Sequence, residues 1–176
     1  GASAYADAGA SPDFRPGPGP GLTLSAWILS LWGNFEANRA VFRKNGEYAL
    51  RFADGKLSLL LWAGGDLITL ATPPIDWDGR RWRHVAATVS GPVLTIFLDG
   101  EPVAKRTLER EPEIDDAGSP LGIGGVERRY GLRGLVGEAR VYRRALDPAE
   151  VKQHVRDTRA TYVSTEWRRP EAETGR

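Results

Sequence analysis

Apolar residues recur at every second position through several short segments of this chain, which is the period of a β-strand. In residues 22–32 (LTLSAWILSLW), Leu22, Leu24, Ala26 and Ile28 fall on one face and the intervening residues on the other. The same alternation returns between residues 40 and 72. We therefore predict a long first strand, followed by a series of shorter ones.

Tight-turn dipeptides separate these segments. Asn45-Gly46, Asp54-Gly55 and Gly64-Gly65 each follow an apolar run. Such dipeptides favour two-residue hairpins, and a spacing of about ten residues is typical of an antiparallel meander. The pattern continues in residues 82–103 with two further strands, 82–90 and 93–98. Both faces of the second are apolar, so we expect this hairpin to lie between layers.

The C-terminal third contains two more predicted strands and one helix. Residues 109–120 form a polar connection, and residues 121–125 and 134–142 are strands. Asp147 is a suitable N-cap, with proline at the first helical position, and the helix is predicted to end near Thr158. The chain is therefore predicted to be all-β, an antiparallel β-sandwich of jelly-roll type with one short C-terminal helix.

Composition limits the classes of function. The 176 residues carry a net charge of +1, so we expect neither a nucleic-acid partner nor an anionic membrane surface. With no cysteine, disulfides and thiolate chemistry are excluded. No apolar run approaches the ~20 residues of a membrane span, and the N-terminus lacks the features of a signal peptide. We expect one domain over residues 1–163 and a charged tail or linker over residues 164–176.

A family resemblance rests on several motifs in a fixed order. The chain resembles the concanavalin A-like, laminin G-like jelly-roll domains of bacterial proteins through LTLSAWI (22–28), VFRKNGEYALRF (41–52), DGRRWRHVAATVSGPVLTIFLDGEPV (78–103), PLGIGG (120–125) and GLVGEARVYRRALDPAEV (134–151). AYADAGASPDF (4–14) is similar to the first strand of that family. The resemblance implies a truncated first strand and a module of a larger extracytoplasmic or secreted bacterial protein.

The resemblance suggests calcium as a possible cofactor. Many relatives hold calcium with an aspartate of the last strand, and this chain has Gly137 at that position. Calcium favours six to eight oxygen ligands. Asp7, Asp13 and Glu138 are the remaining candidates for a calcium site, and no other cofactor is expected.

The same fold also occurs in glycoside hydrolases, and their laminarinase-type motif places three carboxylates along one strand, so that the acid and the nucleophile face the same cleft. Glu113-Ile114-Asp115 is similar to the opening of a laminarinase-type motif. Ala117 and Gly118 stand where the third carboxylate is expected. A solvated acidic loop explains the segment more simply, so we expect no enzymatic activity.

Histidine and most tryptophan residues are expected to be structural. His84 lies within an apolar strand and His154 on the helix, where hydrogen-bonded structural roles are more common than catalysis. Trp27, Trp62 and Trp82 lie within predicted strands and are interpreted as core.

Two loops carry the side-chain types that bind sugars. Trp77 stands between Asp76 and Asp78, and Tyr130 follows Arg128 closely. An aromatic face packs against the C–H side of a sugar, and charged groups hydrogen-bond its hydroxyls. The alternative for Trp77 is that it anchors its loop against the edge of the sandwich.

The leading hypothesis is a non-catalytic binding module whose ligand, on the strength of the resemblance, is carbohydrate. The second hypothesis is a structural or protein-interaction module without a sugar site, which docks neighbouring domains of its parent protein. The third is a glycoside hydrolase.

Overall fold

A computed structural model describes residues 5–15, 21–30, 38–77, 81–126 and 130–163. These ranges contain eleven strands, one α-helix and a short 3-10 helix, Pro12–Phe14. The strands are β1 Ala6–Asp7, β2 Leu22–Ser30, β3 Arg39–Lys44, β4 Tyr48–Ala53, β5 Lys56–Ala63, β6 Asp66–Ala71, β7 Arg83–Ser90, β8 Val93–Leu98, β9 Glu101–Thr107, β10 Leu121–Ile123 and β11 Gly134–Tyr142, and the helix is α1 Pro148–Val163. The predicted tail, residues 164–176, lies outside the described residues.

The strands form two antiparallel sheets. The six-stranded sheet has the order β1-β10-β3-β4-β5-β6, and the five-stranded sheet has the order β11-β2-β7-β8-β9. Strands β3 to β6 pair consecutively, as expected for the predicted meander. The predicted antiparallel sandwich with one C-terminal helix is therefore confirmed. The N-terminal strand that the family resemblance predicts within residues 4–14 is present as β1, which pairs with β10.

The main hydrophobic core lies between the two sheets. The face of β2 predicted from alternation, from Leu22 to Ile28, is buried in this core. The facing sheet contributes residues such as Phe42, Leu50 and Leu59. Burial of apolar side chains removes their surface from water, and this is the main contribution to stability in such a sandwich.

Helix α1 covers the outer face of the five-stranded sheet. A second hydrophobic cluster there contains Phe97 of β8 and Val151 of α1. Nearer the C-terminal end of α1, the indole Nε1 of Trp27 donates a hydrogen bond of 2.9 Å to Thr158 Oγ1. The ring of Tyr162 stacks on Trp27 with the centroids 4.9 Å apart. The hairpin of β7 and β8 is therefore buried on both faces, as predicted.

The start of α1 is as predicted, but its end is not. Asp147 Oδ1 accepts a hydrogen bond from the Glu150 amide, and Glu150 Oε2 accepts one from the Asp147 amide. This reciprocal pair is a capping box. The helix continues to Val163 rather than ending near Thr158 because its last turn packs on the sheet through Tyr162. Within the described ranges, no helix is long and apolar enough to cross a membrane.

Candidate functional site

The outer face of the six-stranded sheet carries a row of residues that the register aligns. Arg43 of β3 is opposite Ala49 of β4, and Ala49 is opposite Leu60 of β5. Arg51 lies two residues beyond Ala49 and therefore on the same face. Their neighbours in sequence, such as Phe42 and Leu50, point into the core. The two arginines are thus diagonal neighbours on the outer face of the sheet, where both are partly exposed although Ala49 and Leu60 on the same face are buried.

Two aromatic rings lie close to the guanidinium of Arg43. Its Cζ atom is 4.4 Å from the centroid of the Tyr130 ring and 5.9 Å from that of Trp62. Both distances are within the range of cation–π attraction. The Nε–H of Arg43 donates to Asn45 Oδ1 at 2.7 Å, which fixes the side chain from the turn. We call Arg43, Arg51, Trp62 and Tyr130 the arginine–aromatic patch.

Tyr130 is held in place by its backbone. The amide of Ala40 donates to the carbonyl of Tyr130 at 2.8 Å, and Arg39 Nη1 donates to the carbonyl of Gly131 at 3.2 Å. Tyr130 has a φ of 54°, in the left-handed region that residues with a side chain rarely adopt. Residues in such conformations cluster at ligand-binding sites. The strained backbone places the Tyr130 ring against the sheet.

The patch has a positive charge that its described surroundings do not neutralise. The pKa of Arg43 is lowered, first because burial penalises its charge and also because Arg51 repels it. The Nε atom of Arg51 is buried and has no hydrogen-bond partner. Among the described residues, no carboxylate forms an ion pair with either arginine. All four residues of the patch are partly exposed.

Trp77 does not lie on this patch. Only 2% of its surface is exposed, and it belongs to the main core. Its ring meets Phe52 edge to face at 5.0 Å, and the Arg83 guanidinium lies 5.5 Å from its centroid. The ring has almost no free face for a sugar. The structure therefore favours the anchoring interpretation of Trp77 over the sugar-stacking one.

Of the other predicted sugar-binding residues that the structure describes, only Tyr130 is found in the arginine–aromatic patch. Asp76 is exposed at the surface beside the buried Trp77. Tyr130 is in the patch, next to Arg43. Asp78 and Arg128 lie outside the described residues, so their roles stay predictions.

The three candidate calcium ligands do not come together. Asp7 Oδ1 accepts a hydrogen bond from the amide two residues further along. Asp13 lies 4.0 Å from Arg143, and Glu138 is ion-paired with Arg140. In the part of the chain that the structure describes, no group of three or more His, Asp or Glu side chains could hold a metal ion. Because calcium needs six to eight converging oxygens, these residues do not fit a calcium site.

The acidic segment with the hydrolase-like spacing has a structural role. The carboxylate of Asp115 accepts hydrogen bonds from the amides of Gly64 (2.8 Å) and Gly65 (3.3 Å). It therefore holds the turn between β5 and β6. Glu113 lines a cavity of about 330 Å³ at one edge of the sandwich. Both oxygens of the Asp115 carboxylate are thus engaged with backbone amides, and Asp115 is not among the residues that line this cavity.

The two histidines meet between β7, which carries His84, and α1, which carries His154. His84 is fully buried, and its Nε2 is 2.9 Å from Ser25 Oγ. Its ring contacts Trp27 at 5.3 Å and His154 at 5.5 Å between centroids. Burial, together with the neighbouring His154, lowers the pKa of His84 to about 3, so the ring is neutral at physiological pH. The expectation of a buried, hydrogen-bonded histidine is confirmed for His84.

Sequence reasoning missed Arg43, Arg51 and Trp62, although signals for them were present. The turn after β3 sets Lys44 opposite Tyr48, and this register alone places both arginines on one face. In β5, the leucines at positions 57, 59 and 61 point to the core, so Trp62 must point outwards. The interpretation of Trp62 as a core residue was wrong, since it is only partly buried and contacts Arg43.

Comparisons with known proteins agree with this architecture. The CBM40 of the Ruminococcus gnavus IT-sialidase matches with a TM-score of 0.65 and 21% identity, over 77% of this chain and 83% of that one. The binding domain of Paraclostridial Mosquitocidal Protein 1 matches with a TM-score of 0.60 and 19% identity, over 78% of this chain. The binding domain of Botulinum Neurotoxin DC in complex with SialylT matches with a TM-score of 0.59 and 10% identity, also over 78%.

The chain spans 37% and 35% of the length of the two toxin domains. At these identities the likeness establishes the fold alone. Comparison with curated proteins returned no match. The family described as the Concanavalin A-like lectin/glucanases superfamily matches residues 1–152, which is most of the chain. This laminin G-like chain therefore belongs to the concanavalin A-like lectin/glucanase superfamily.

Proposed function

We propose that this domain is a non-catalytic carbohydrate-binding module of a larger extracytoplasmic bacterial protein. The arginine–aromatic patch is its sugar-binding surface. The observation that carries the proposal is that the Arg43 guanidinium contacts two partly exposed rings, Trp62 and Tyr130, on the outer face of a sheet.

The chemistry of the patch suits a sugar. An aromatic ring packs against the C–H face of a pyranose, and guanidinium N–H groups donate to its oxygens. Arg43 is already held by Asn45 and by the two rings, so little side-chain freedom is lost when a ligand binds. The partly exposed rings of Trp62 and Tyr130 offer apolar surface that a sugar can cover.

The comparisons support the class of ligand. Two of the similar structures are the CBM40 of a sialidase and a toxin binding domain in complex with SialylT. A third is also named as a binding domain. These likenesses make a glycan the first ligand class to test on this chain.

The proposal is tested with an array of bacterial, plant and animal glycans, followed by calorimetry on each glycan that binds. We expect Trp62→Ala and Tyr130→Ala each to weaken binding at least tenfold. Tyr142→Ala removes a partly exposed tyrosine from β11 of the other sheet and serves as the matched control. Circular dichroism confirms that each variant is folded. Full binding by Tyr130→Ala and Trp62→Ala would place the sugar elsewhere, and no binding to any glycan would favour docking of neighbouring domains.

Because the superfamily includes glucanases, the same polysaccharides are assayed for release of reducing ends. We expect none, since Asp115 is tied to a turn rather than paired with Glu113 for catalysis. Release that Glu113→Gln abolishes would contradict the non-catalytic assignment.

A further inference from the structure

We infer that the arginine–aromatic patch recognises an acidic sugar, one that carries a carboxylate, in preference to a neutral sugar. This inference rests on the proposed function and specifies its ligand class. It depends on the two arginines rather than on the rings alone.

The first argument is placement. Arg43 lies opposite Ala49, and Arg51 lies opposite Ala40 and Ser58, so the two long side chains share a face with small neighbours. Nothing bulky separates them along the strand pair. A sheet holds such diagonal neighbours at a fixed separation, which suits a single ligand group that contacts both.

The second argument is unused hydrogen-bond capacity. Arg43 uses its Nε–H on Asn45, and none of the described residues accepts a hydrogen bond from its two Nη groups. Arg51 donates to none of them at all, and its Nε is buried. Buried donors are normally satisfied, so an unpaired one indicates a missing acceptor. A carboxylate supplies two acceptor oxygens in the geometry of the guanidinium fork.

The third argument is electrostatic. Like charges brought together at a partly buried site raise the free energy of the protein. Burial is the main reason why the pKa of Arg43 is lowered, and the charge of Arg51 lowers it further. In the described ranges, the carboxylates that form ion pairs do so with other cations. An anion between the two guanidiniums removes their repulsion. A neutral sugar leaves that repulsion in place.

Sugar carboxylates come from two sources, uronic acids and sialic acids. Both present a planar carboxylate beside a pyranose ring, so the geometry of the patch suits either. The experiment therefore uses two matched pairs. The first pair is an oligogalacturonate and its methyl ester, and the second is sialyllactose and lactose.

Calorimetry is performed on the full chain with each member of both pairs at low and high salt. We expect the acidic member of one pair to bind at least tenfold more tightly than its neutral partner. That difference decreases at high salt, because ions screen charges at a partly exposed site. The pair that responds identifies the source of the carboxylate.

Arg51→Gln should reduce the affinity for the acidic member at least tenfold and the affinity for the neutral member far less. Arg51→Lys keeps the positive charge but lacks the paired N–H donors of the guanidinium. Its affinity for the acidic member should lie between those of Arg51→Gln and the unaltered chain. Arg156→Gln, an exposed arginine of α1, makes the same change in net charge and should bind as the unaltered chain does.

Equal affinity for acidic and neutral members, or an affinity for the acidic member that Arg51→Gln does not change, would overturn the acidic preference. Either result would leave the proposed carbohydrate function intact. No binding to any of these four ligands or to the glycan array would overturn both proposals.

Discussion

His84 gives this sandwich a pH dependence whose sign and size follow from the structure. The ring is fully buried beneath α1, and its pKa is lowered to about 3 from the usual 6.5. Below pH 6.5 His84 therefore binds a proton in the unfolded chain but stays neutral in the folded chain. The free energy of unfolding must fall as the pH falls from 6.5 towards 3.

The size of the effect follows from linkage. Each pH unit between these two values is worth about 1.4 kcal/mol. Lowering the pH from 7.5 to 5 crosses about 1.5 of these units, which costs about 2 kcal/mol. For a domain of this size, that corresponds to a decrease in melting temperature of roughly 4 to 8 °C.

The assay compares His84→Gln with the unaltered chain by urea unfolding at pH 7.5 and pH 5. Glutamine can hydrogen-bond to Ser25 but does not titrate, so we expect the variant to lose about 2 kcal/mol less over this interval. His154→Gln is the matched control. His154 faces His84 and Glu138 and its pKa is also lowered by burial, but it is only partly buried, so its contribution is smaller. Equal pH dependence of His84→Gln and the unaltered chain would refute the reasoning.

Three further predictions concern stability and use the midpoint of urea unfolding. Asp147→Ala removes one half of the capping box and should cost about 1 kcal/mol, whereas an unchanged midpoint would show that the cap contributes nothing. Lys44→Met leaves the buried carboxylate of Glu47 without its cation and should cost ~3 to 5 kcal/mol. The double variant with Glu47→Leu should recover much of this, and a double variant worse than the single would contradict the argument. Gly137→Ala places a Cβ 2.5 Å from the Tyr162 ring and should cost ~1 to 3 kcal/mol, with a change in near-UV circular dichroism where that ring packs. Near-wild-type values would mean that the end of α1 can shift freely.

Local rules account for the elements that were predicted correctly. Asp54-Gly55 and Asp99-Gly100 both have positive φ at each residue, 52° and 70° in the first and 53° and 87° in the second. Asp-Gly is among the sequences that adopt this type I′ turn most readily, so its position identifies a hairpin without tertiary information. The capping residues of α1 are an equally local signal.

The candidate site was predicted only in part because its residues come from distant positions. Tyr130 was identified as a sugar-binding candidate from its loop, but its contact with Arg43 joins residues far apart in the sequence. Trp77 has the same local features as a binding residue, with charged neighbours and a nearby glycine. Which of the two rings is buried depends on whether the folded chain has room for it against Phe52.

The sequence alone therefore determined most of the strands, though not β9, together with the turns, the start of the helix and the family. These depend on side-chain alternation and on backbone conformations that neighbouring residues set. Only the tertiary structure decided that Trp62 and Tyr130 both contact Arg43 and that α1 extends to pack on Trp27. Contacts between distant segments depend on sheet register and on close packing across layers, which no local pattern encodes.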